Sequence, residues 1–251
     1  MIHALALALA LAAPSNGEPA FVAVVDPGHG GDHEGAFSPD GVPEKRIAME
    51  IARRLAARLQ KQGGRVILTR TGDVSVPLGN RSDVANLERA DIFISIHLNS
   101  MPSRAKRART RGIETFFLSA DATDASAGAV AARENADRLA GELEDDAADP
   151  VAGILTDLEY TASLTESSRL AYAIHDRLVR ATQADDRGVK QAPFYVLAGA
   201  KMPSVLLELG FISHAQESRK LRSAAYQEAL ARAVADGVKA WRTAAPQAAL
   251  R

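Results

Sequence analysis

Four side chains that are far apart in the sequence carry the residue types of a metal-dependent hydrolytic site. His29 lies in a glycine-rich turn after an apolar run, Glu44 begins an amphipathic segment, and His97 ends a second apolar run. Two imidazoles and one carboxylate are a ligand set of a catalytic zinc that keeps one coordination position open. The chain has no cysteine, so thiolate ligands are excluded. Glu208 interrupts an apolar segment, and a buried carboxylate beside an activated water would serve as general base.

Each of these residues also has an ordinary structural interpretation. Glu44 would be favoured at a helix start by the helix dipole, with or without a metal. Glu208 could form a buried ion pair with an arginine such as Arg70. A histidine in a glycine turn or at a strand end can be structural, and the turn at residues 28–31 could instead cradle a phosphate. The metal interpretation therefore depends on the combination and not on any single residue.

The elements that position these side chains predict an α/β fold. Short apolar runs alternate with segments of helical periodicity, which indicates one domain with a mostly parallel or mixed twisted sheet flanked by helices. The strands are predicted at residues 21–26, 65–70, 91–97, 113–118, 194–197 and 205–209, and helices at 44–62, 81–89 and 221–241. His97 then lies at the carboxyl edge of a strand, where open α/β sheets bind ligands.

A helical insertion is predicted between two strands of this sheet, over about residues 120–187. Helical patterns cover 124–143, 150–160 and 164–183, and no runs of β-branched residues occur among them. Between Glu134 and Asp149 there are seven acidic residues and the single base Arg138. A solvated acidic face is the simplest interpretation of that charge.

The two ends of the chain have a different composition from the predicted domain at 21–242. Ala4 to Ala13 is an apolar run too short to span a membrane, and Ala10-Leu11-Ala12 offers small residues at a cleavage spacing. Residues 1–20 are predicted to be a signal peptide with its linker, so we expect export to the periplasm or beyond; a hydrophobic N-terminal helix is the alternative. Residues 243–251 are predicted to be a disordered tail. With a formal charge of −1, the chain has no general affinity for nucleic acid, and no transmembrane segment is expected.

Four separated motifs together resemble a known family. In chain order they are Val25–Gly31, Glu44–Lys45, Ser95–Ser100 and Leu207–Ser213. Four motifs in the right order are far more specific than any one of them. Over about residues 21–241 the sequence is similar to the zinc-dependent N-acetylmuramoyl-L-alanine amidases of the Amidase_3 type, in their periplasmic cell-separation form.

The resemblance implies roles for the four residues. His29, Glu44 and His97 would bind one zinc ion per chain, and Glu208 would activate the attacking water. The reaction would cleave the amide bond between N-acetylmuramic acid and L-alanine of peptidoglycan, in cell-wall turnover and daughter-cell separation. Asp26 would orient the His29 ring or cap the turn. Another zinc amidohydrolase such as a deacetylase, or a wall-binding homologue without catalysis, are the alternatives.

The resemblance extends to regulation. Residues 133–137 resemble the start of a helix that covers the active site in periplasmic amidases, so Glu134 is the predicted autoinhibitory metal ligand, within a predicted inhibitory segment at about 125–161. A coiled-coil or LytM-type activator protein would displace that helix. The partners implied are thus peptidoglycan and an activator, and the chain is expected to be a monomer.

Overall fold

A six-stranded mixed sheet forms the centre of the protein. The computed structural model describes residues 19–137 and 158–244. In chain order the strands are β1 Phe21–Pro27, β2 Gly64–Leu68, β3 Ile92–Asn99, β4 Ile113–Leu118, β5 Asp186–Ala192 and β6 Ser204–Phe211. Their order across the sheet is β2-β1-β3-β6-β4-β5, and all neighbours pair in parallel except β4 and β6, which are antiparallel. The predicted α/β class is confirmed.

Helices cover both faces of the sheet. They are α1 Glu44–Lys61, α2 Leu78–Leu87, α3 Arg104–Arg107, α4 Ala125–Asn135, α5 Leu158–Thr182, α6 Tyr195–Ala198, α7 Ala215–Leu221 and α8 Ala224–Ala244. One face packs against α1, α5 and α8, and the other against α2, α4 and α6. The central strands are apolar on both faces because they are covered on both faces.

Helix α1 shows how the sequence produces this packing. Ile47, Ile51, Leu55 and Leu59 recur every four residues and are all buried against the sheet. The helix ends just before Gly63, which adopts a φ of 85°, a left-handed conformation that a side chain would disfavour. The position of Glu44, its first residue, is thereby fixed relative to β1 and β3.

At three places the elements of the structure differ from those predicted. The apolar run at 194–197 was predicted as a strand, but Tyr195–Ala198 is a short helix; a short apolar run does not distinguish the two by periodicity. Strand β5 was not predicted, because its sequence DRGVKQA is polar and it lies at the edge of the sheet. The helix predicted over 221–241 is α8, which begins at Ala224, whereas the separate helix α7 just before it was not predicted.

The insertion between β4 and β5 is helical where the structure describes it. Helix α4 corresponds to the start of the helix predicted over 124–143, and α5 to the one predicted over 164–183. Residues 138–157, which include most of the helix predicted at 150–160, lie outside the described residues, as do 1–18 and 245–251. Within the described ranges, no helix is both long enough and apolar enough to cross a membrane.

Candidate metal centre

The carboxyl ends of β1 and β3 bring two imidazoles together. His29 follows the last residue of β1 by two positions and adopts a φ of 58°, which turns its side chain away from the strand direction. His97 lies inside β3, whose register pairs Pro27 with Ile96. The two rings are 4.8 Å apart between centroids at an interplanar angle of 74°. Parallel pairing thus places residues from distant segments side by side.

Two buried carboxylates complete the cluster. Glu44 Oε1 lies 3.0 Å from His29 Nε2 and 3.3 Å from His97 Nδ1. Glu134 Oε2, from α4, lies 2.9 Å from His97 Nδ1 and 3.5 Å from His29 Nε2. All four residues are buried, and one ligand atom from each lies within 4.8 Å of the others. The structure therefore brings together the three predicted ligands and the predicted inhibitory glutamate.

In the described part of the chain, three polar atoms of the cluster lack hydrogen-bond partners, as expected of metal ligands. His29 Nε2, His97 Nδ1 and Glu134 Oε2 are buried without a hydrogen-bond partner, although they lie close to one another. Their short contacts lack hydrogen-bond geometry because the atoms point to a shared position. Unpaired buried polar atoms are costly and rare in folded proteins. A cation at that position would satisfy all three, so the residues present fit a metal ion.

Backbone groups fix the orientation of Glu44. The Leu98 N–H donates to Oε1 at 2.7 Å, and the Ala36 N–H donates to Oε2 at 3.0 Å. A carboxylate held at both oxygens cannot rotate away from the imidazoles. Glu44 is also favoured where it is, at the first position of α1, because of the helix dipole. The structural and metal-binding interpretations of this residue are compatible.

Two glycines leave the room that the imidazoles occupy. A Cβ at Gly28 would overlap the His97 ring, and a Cβ at Gly35, where φ is 69°, would overlap the ring of His29. Any side chain at either position would have to displace a ring or the backbone. The glycines are thus required by close approach to the candidate ligands as well as by the turns in which they lie.

The pKa values reflect the concentration of charge. Burial lowers the pKa of His97, but the carboxylates of Glu134 and Glu44 together outweigh it and raise the value to about 9. Burial likewise opposes the shift at His29, yet Glu44 and Asp137 hold its pKa well above the ordinary value. In turn, the imidazoles hold the pKa of Glu44 well below its usual range against the effect of burial. The acidic groups here stabilise positive charge, which is what a cation site requires.

Glu208 lies beside this cluster on β6. The register pairs it with His97 on one side and with Glu114 on the other. It is fully buried; Arg133 Nη2 lies 3.3 Å from its Oε1, while its Oε2 has no hydrogen-bond partner. Burial, and then the negative charge of Glu134, raise the pKa of Glu208 well above its usual value. Arg70 is not its partner, since that guanidinium donates to backbone carbonyls of Pro27, Gly28 and Lys45.

Of the two roles expected for Asp26, orienting the His29 ring and capping the turn, the contacts of the described residues favour the turn, because no hydrogen bond joins Asp26 to the ring. Among the described residues, its carboxylate accepts hydrogen bonds from Thr69, Ser95 and Arg81. Because Asp26 is inside β1, its side chain lies under the turn and not beside the imidazole. It supports the turn indirectly, since Arg81 also donates to the carbonyl oxygen of His29 at 3.0 Å.

Two functional contacts were not predicted from the sequence. Asp137 Oδ2 lies 2.5 Å from His29 Nδ1, on the ring nitrogen that faces away from the cluster. Arg133 donates to Glu134 Oε1 at 2.9 Å, to the carbonyl of Ser100 at 3.0 Å and to Glu208. The motif at 133–137 contained both residues, but only the approach of α4 to the sheet edge shows what they contact.

Comparison with known proteins places most of the chain in one family. Residues 23–240 match the family described as N-acetylmuramoyl-L-alanine amidase (Amidase_3). The amidase AmiA of Escherichia coli K12 is 35% identical over 219 residues, which cover 86% of this chain and 74% of that protein. AmiC of Escherichia coli O6:H1 is 34% identical over 222 residues, or 88% of this chain and 52% of that protein. The chain thus spans only about half the length of AmiC.

Solved structures agree with these sequence matches. An N-acetylmuramoyl-L-alanine amidase from Clostridium difficile 630 superposes with a TM-score of 0.69 at 27% identity, covering 91% of this chain and all of the other. The CwlD amidase of Clostridioides difficile, solved in complex with the GerS lipoprotein, gives a TM-score of 0.67 at 26% identity, covering 90% of this chain and 100% of that one.

Proposed function

Because this chain belongs to the Amidase_3 family of N-acetylmuramoyl-L-alanine amidases, we propose that it is a zinc-dependent hydrolase that cleaves the amide bond between N-acetylmuramic acid and L-alanine of peptidoglycan. The observation that carries this proposal is the buried convergence of His29, Glu44 and His97 beside the buried carboxylate of Glu208. The proposed biological process is cell-wall turnover and daughter-cell separation.

The dimensions and donor types favour zinc. Ligand atoms about 2.1 Å from a tetrahedral zinc ion lie about 3.4 Å from each other, and the contacts between imidazole nitrogens and carboxylate oxygens are 2.9 to 3.5 Å. Imidazole and carboxylate ligands without thiolates are typical of catalytic zinc sites. The metal ligands proposed are His29 through Nε2, His97 through Nδ1 and Glu44.

Glu208 is the proposed catalytic residue. When bound, zinc supplies Lewis-acid chemistry, which polarises a carbonyl and lowers the pKa of water. Glu208 takes the proton from the attacking water as the water oxygen bonds to the lactyl carbonyl carbon. It then returns the proton to the leaving nitrogen as the C–N bond breaks, giving the free amine of L-alanine and a lactyl carboxylic acid, which loses its remaining proton to solvent. A pKa raised by burial suits a carboxyl group that holds a proton between these steps.

Helix α4 is proposed to keep the site closed at rest. Glu134 Oε2 lies where a fourth ligand would be, and Arg133 pairs with the proposed catalytic carboxylate. The same helix would therefore occupy the open coordination position and neutralise the base. We expect low basal activity, and deletion of residues 125–161 should increase it. A deletion variant that folds, binds zinc and is no faster would disprove the inhibitory role.

Activation would then require a partner. A coiled-coil or LytM-type protein that draws α4 away from the sheet edge is the proposed activator. The relative CwlD was solved with a protein partner, which shows that a domain of this fold can carry one.

Export is proposed from the apolar run at residues 4–13, with removal of the signal peptide before the enzyme meets peptidoglycan.

The proposal is tested by digestion of purified sacculi with the zinc-loaded protein, with and without chelator. We expect stem peptides with a free L-alanine amine and intact glycan strands, separated by chromatography and identified by mass. Glu208→Gln, which keeps the size of the side chain, serves as the inactive control. Release of acetate without peptide would instead indicate a deacetylase. Binding to sacculi without any product, by the natural chain and by the variant lacking residues 125–161 alike, would indicate a wall-binding homologue.

A further inference from the structure

A groove of about 910 Å³ opens beside the candidate metal centre. Three of its lining residues also support that centre. Ala36 donates its N–H to Glu44, Gly35 packs against the His29 ring, and Arg133 contacts Glu208. A molecule in the groove would therefore lie next to the reacting bond.

One wall of this groove is cationic. Arg104 and Arg107, on the exposed helix α3, line it. In the part of the chain that the structure describes, neither guanidinium has a carboxylate within 4 Å, whereas the nearby Arg111 pairs with Asp185 at 2.9 Å. Arg107 is held in place by donating its Nε–H to the carbonyl of Met101 at 2.7 Å. Two arginines thus face the groove with charge that the described protein residues do not neutralise.

The facing wall offers apolar surface. Phe37, with 51% of its surface exposed, and Pro39 line the groove on the side of the segment before α1. An exposed aromatic side chain beside unpaired arginines suits a ligand that carries both anionic groups and hydrocarbon. A purely ionic ligand would gain nothing from Phe37.

The chemistry of peptidoglycan decides which part of the substrate fits the groove. This step rests on the proposed function. On one side of the scissile amide lies a glycan of neutral sugars, and on the other lies a stem peptide with free carboxylates and aliphatic side chains. We propose that the groove is the subsite for the stem peptide, with Arg104 and Arg107 binding its carboxylates and Phe37 packing against its aliphatic portions. These residues make the enzyme selective for stems whose carboxylates are free over stems whose carboxylates are amidated.

Binding of the isolated peptide tests this subsite without any turnover. The probe is L-alanyl-γ-D-glutamyl-diaminopimelate, compared with the same peptide amidated at its carboxyl groups, titrated calorimetrically into the full chain. Arg104, Arg107 and Phe37 line the groove with α4 in place, so the titration is made without an activator. We expect the free-acid peptide to bind about tenfold more tightly than the amide, because charge-assisted hydrogen bonds are lost on amidation.

Two double variants separate the subsite from general charge. Arg104→Ala/Arg107→Ala should abolish the preference for the free acid. Lys106→Ala/Arg109→Ala removes the same charge from the same exposed segment but from residues that do not line the groove, and should keep the preference. Equal effects of both pairs, or equal binding of both peptides by the natural chain, would overturn the proposal.

Two other anionic occupants of the groove would give different results in these experiments. If acidic residues of the insertion occupy the groove, the variant Arg104→Ala/Arg107→Ala would raise basal hydrolysis of sacculi. If the groove instead binds a phosphate polymer of the wall, a teichoic acid fragment would bind and the peptide would not. Either result rejects the stem-peptide subsite. Failure of both the natural chain and the variant lacking residues 125–161 to cleave the muramyl amide, with arginine-dependent peptide binding retained by the natural chain, would instead reject the proposed reaction.

Discussion

Two buried charged clusters lie at the same edge of the sheet, and they differ in how their polar atoms are satisfied. In the candidate metal centre, nitrogen and oxygen atoms of His29, His97 and Glu134 lack hydrogen-bond partners among the described residues. In the cluster below it, Asp26 accepts hydrogen bonds from Thr69, Ser95 and Arg81.

The difference indicates that the two clusters have different roles. A buried network in which every group is paired rigidifies the fold, so the Asp26 cluster is a scaffold for the turn that carries His29. A buried set whose atoms converge unpaired is expected where a ligand supplies the missing interaction. Substitutions in the first cluster should therefore change stability, and substitutions around the second should change chemistry.

The largest effect is expected at Glu208, the proposed catalytic carboxylate. Glu208→Gln should lower kcat by about 10²- to 10⁴-fold, the usual contribution of general acid–base catalysis. The free energy of unfolding should not fall, because the Arg133 side chain is 35% exposed and keeps its ion pair with Glu134, so no charge is left buried without a partner. Peptide release from sacculi and urea denaturation measure the two quantities. Full turnover with bound zinc would refute the assigned role.

A substitution in the Asp26 cluster should lower the free energy of unfolding, unlike Glu208→Gln. Asp26→Asn leaves Arg81 buried without its carboxylate, and loss of one partner of a buried pair costs about 3–5 kcal/mol. Urea denaturation of the metal-free protein should show this decrease in the free energy of unfolding, while Glu208→Gln in the same experiment should not. If Asp26→Asn were as stable as the natural chain, the scaffold interpretation would be wrong.

The pH dependence of stability sharpens that test. Although burial raises it, Arg81 and the hydroxyls of Thr69 and Ser95 bring the pKa of Asp26 below its ordinary value. A carboxyl whose pKa is lower in the folded state stabilises the fold above its unfolded pKa of about 3.9, and this contribution is lost as the pH falls through the folded value. The stability difference between the natural chain and Asp26→Asn should therefore be constant near neutral pH and shrink in acid. A difference that stays constant into acid would contradict it.

The smallest effect is expected at a surface pair outside both clusters. Arg65 Nη1 lies 2.6 Å from Glu88 Oε2, but the two side chains are 45% and 41% exposed. Exposed ion pairs contribute about 0–1 kcal/mol, so Arg65→Ala should change neither activity nor stability by more than that. The same two assays apply. A loss comparable with that of Asp26→Asn would show that burial does not distinguish the clusters.

The elements that the sequence predicts correctly are those whose local pattern matches their environment. Strand β4, predicted at residues 113–118, has these bounds in the structure, because Ile113, Thr115 and Phe116 are β-branched or aromatic residues that favour a strand. Strand β5 was missed because its edge position requires no apolar pattern. The run at 194–197 was misassigned because four apolar residues fit either a strand or one helical turn.

The sequence by itself determined the chemistry available to this protein. It supplied two imidazoles and two carboxylates in or beside predicted strands and helices, without competing thiolates, and residue type and local pattern suffice for that inference. Only the tertiary structure decided which of these atoms meet. The approach of α4 brings Arg133 to Glu208 and Asp137 to His29, and the groove joins α3 to the segment before α1. Such contacts depend on how distant elements pack against each other, and no local pattern in the sequence encodes the distance between them.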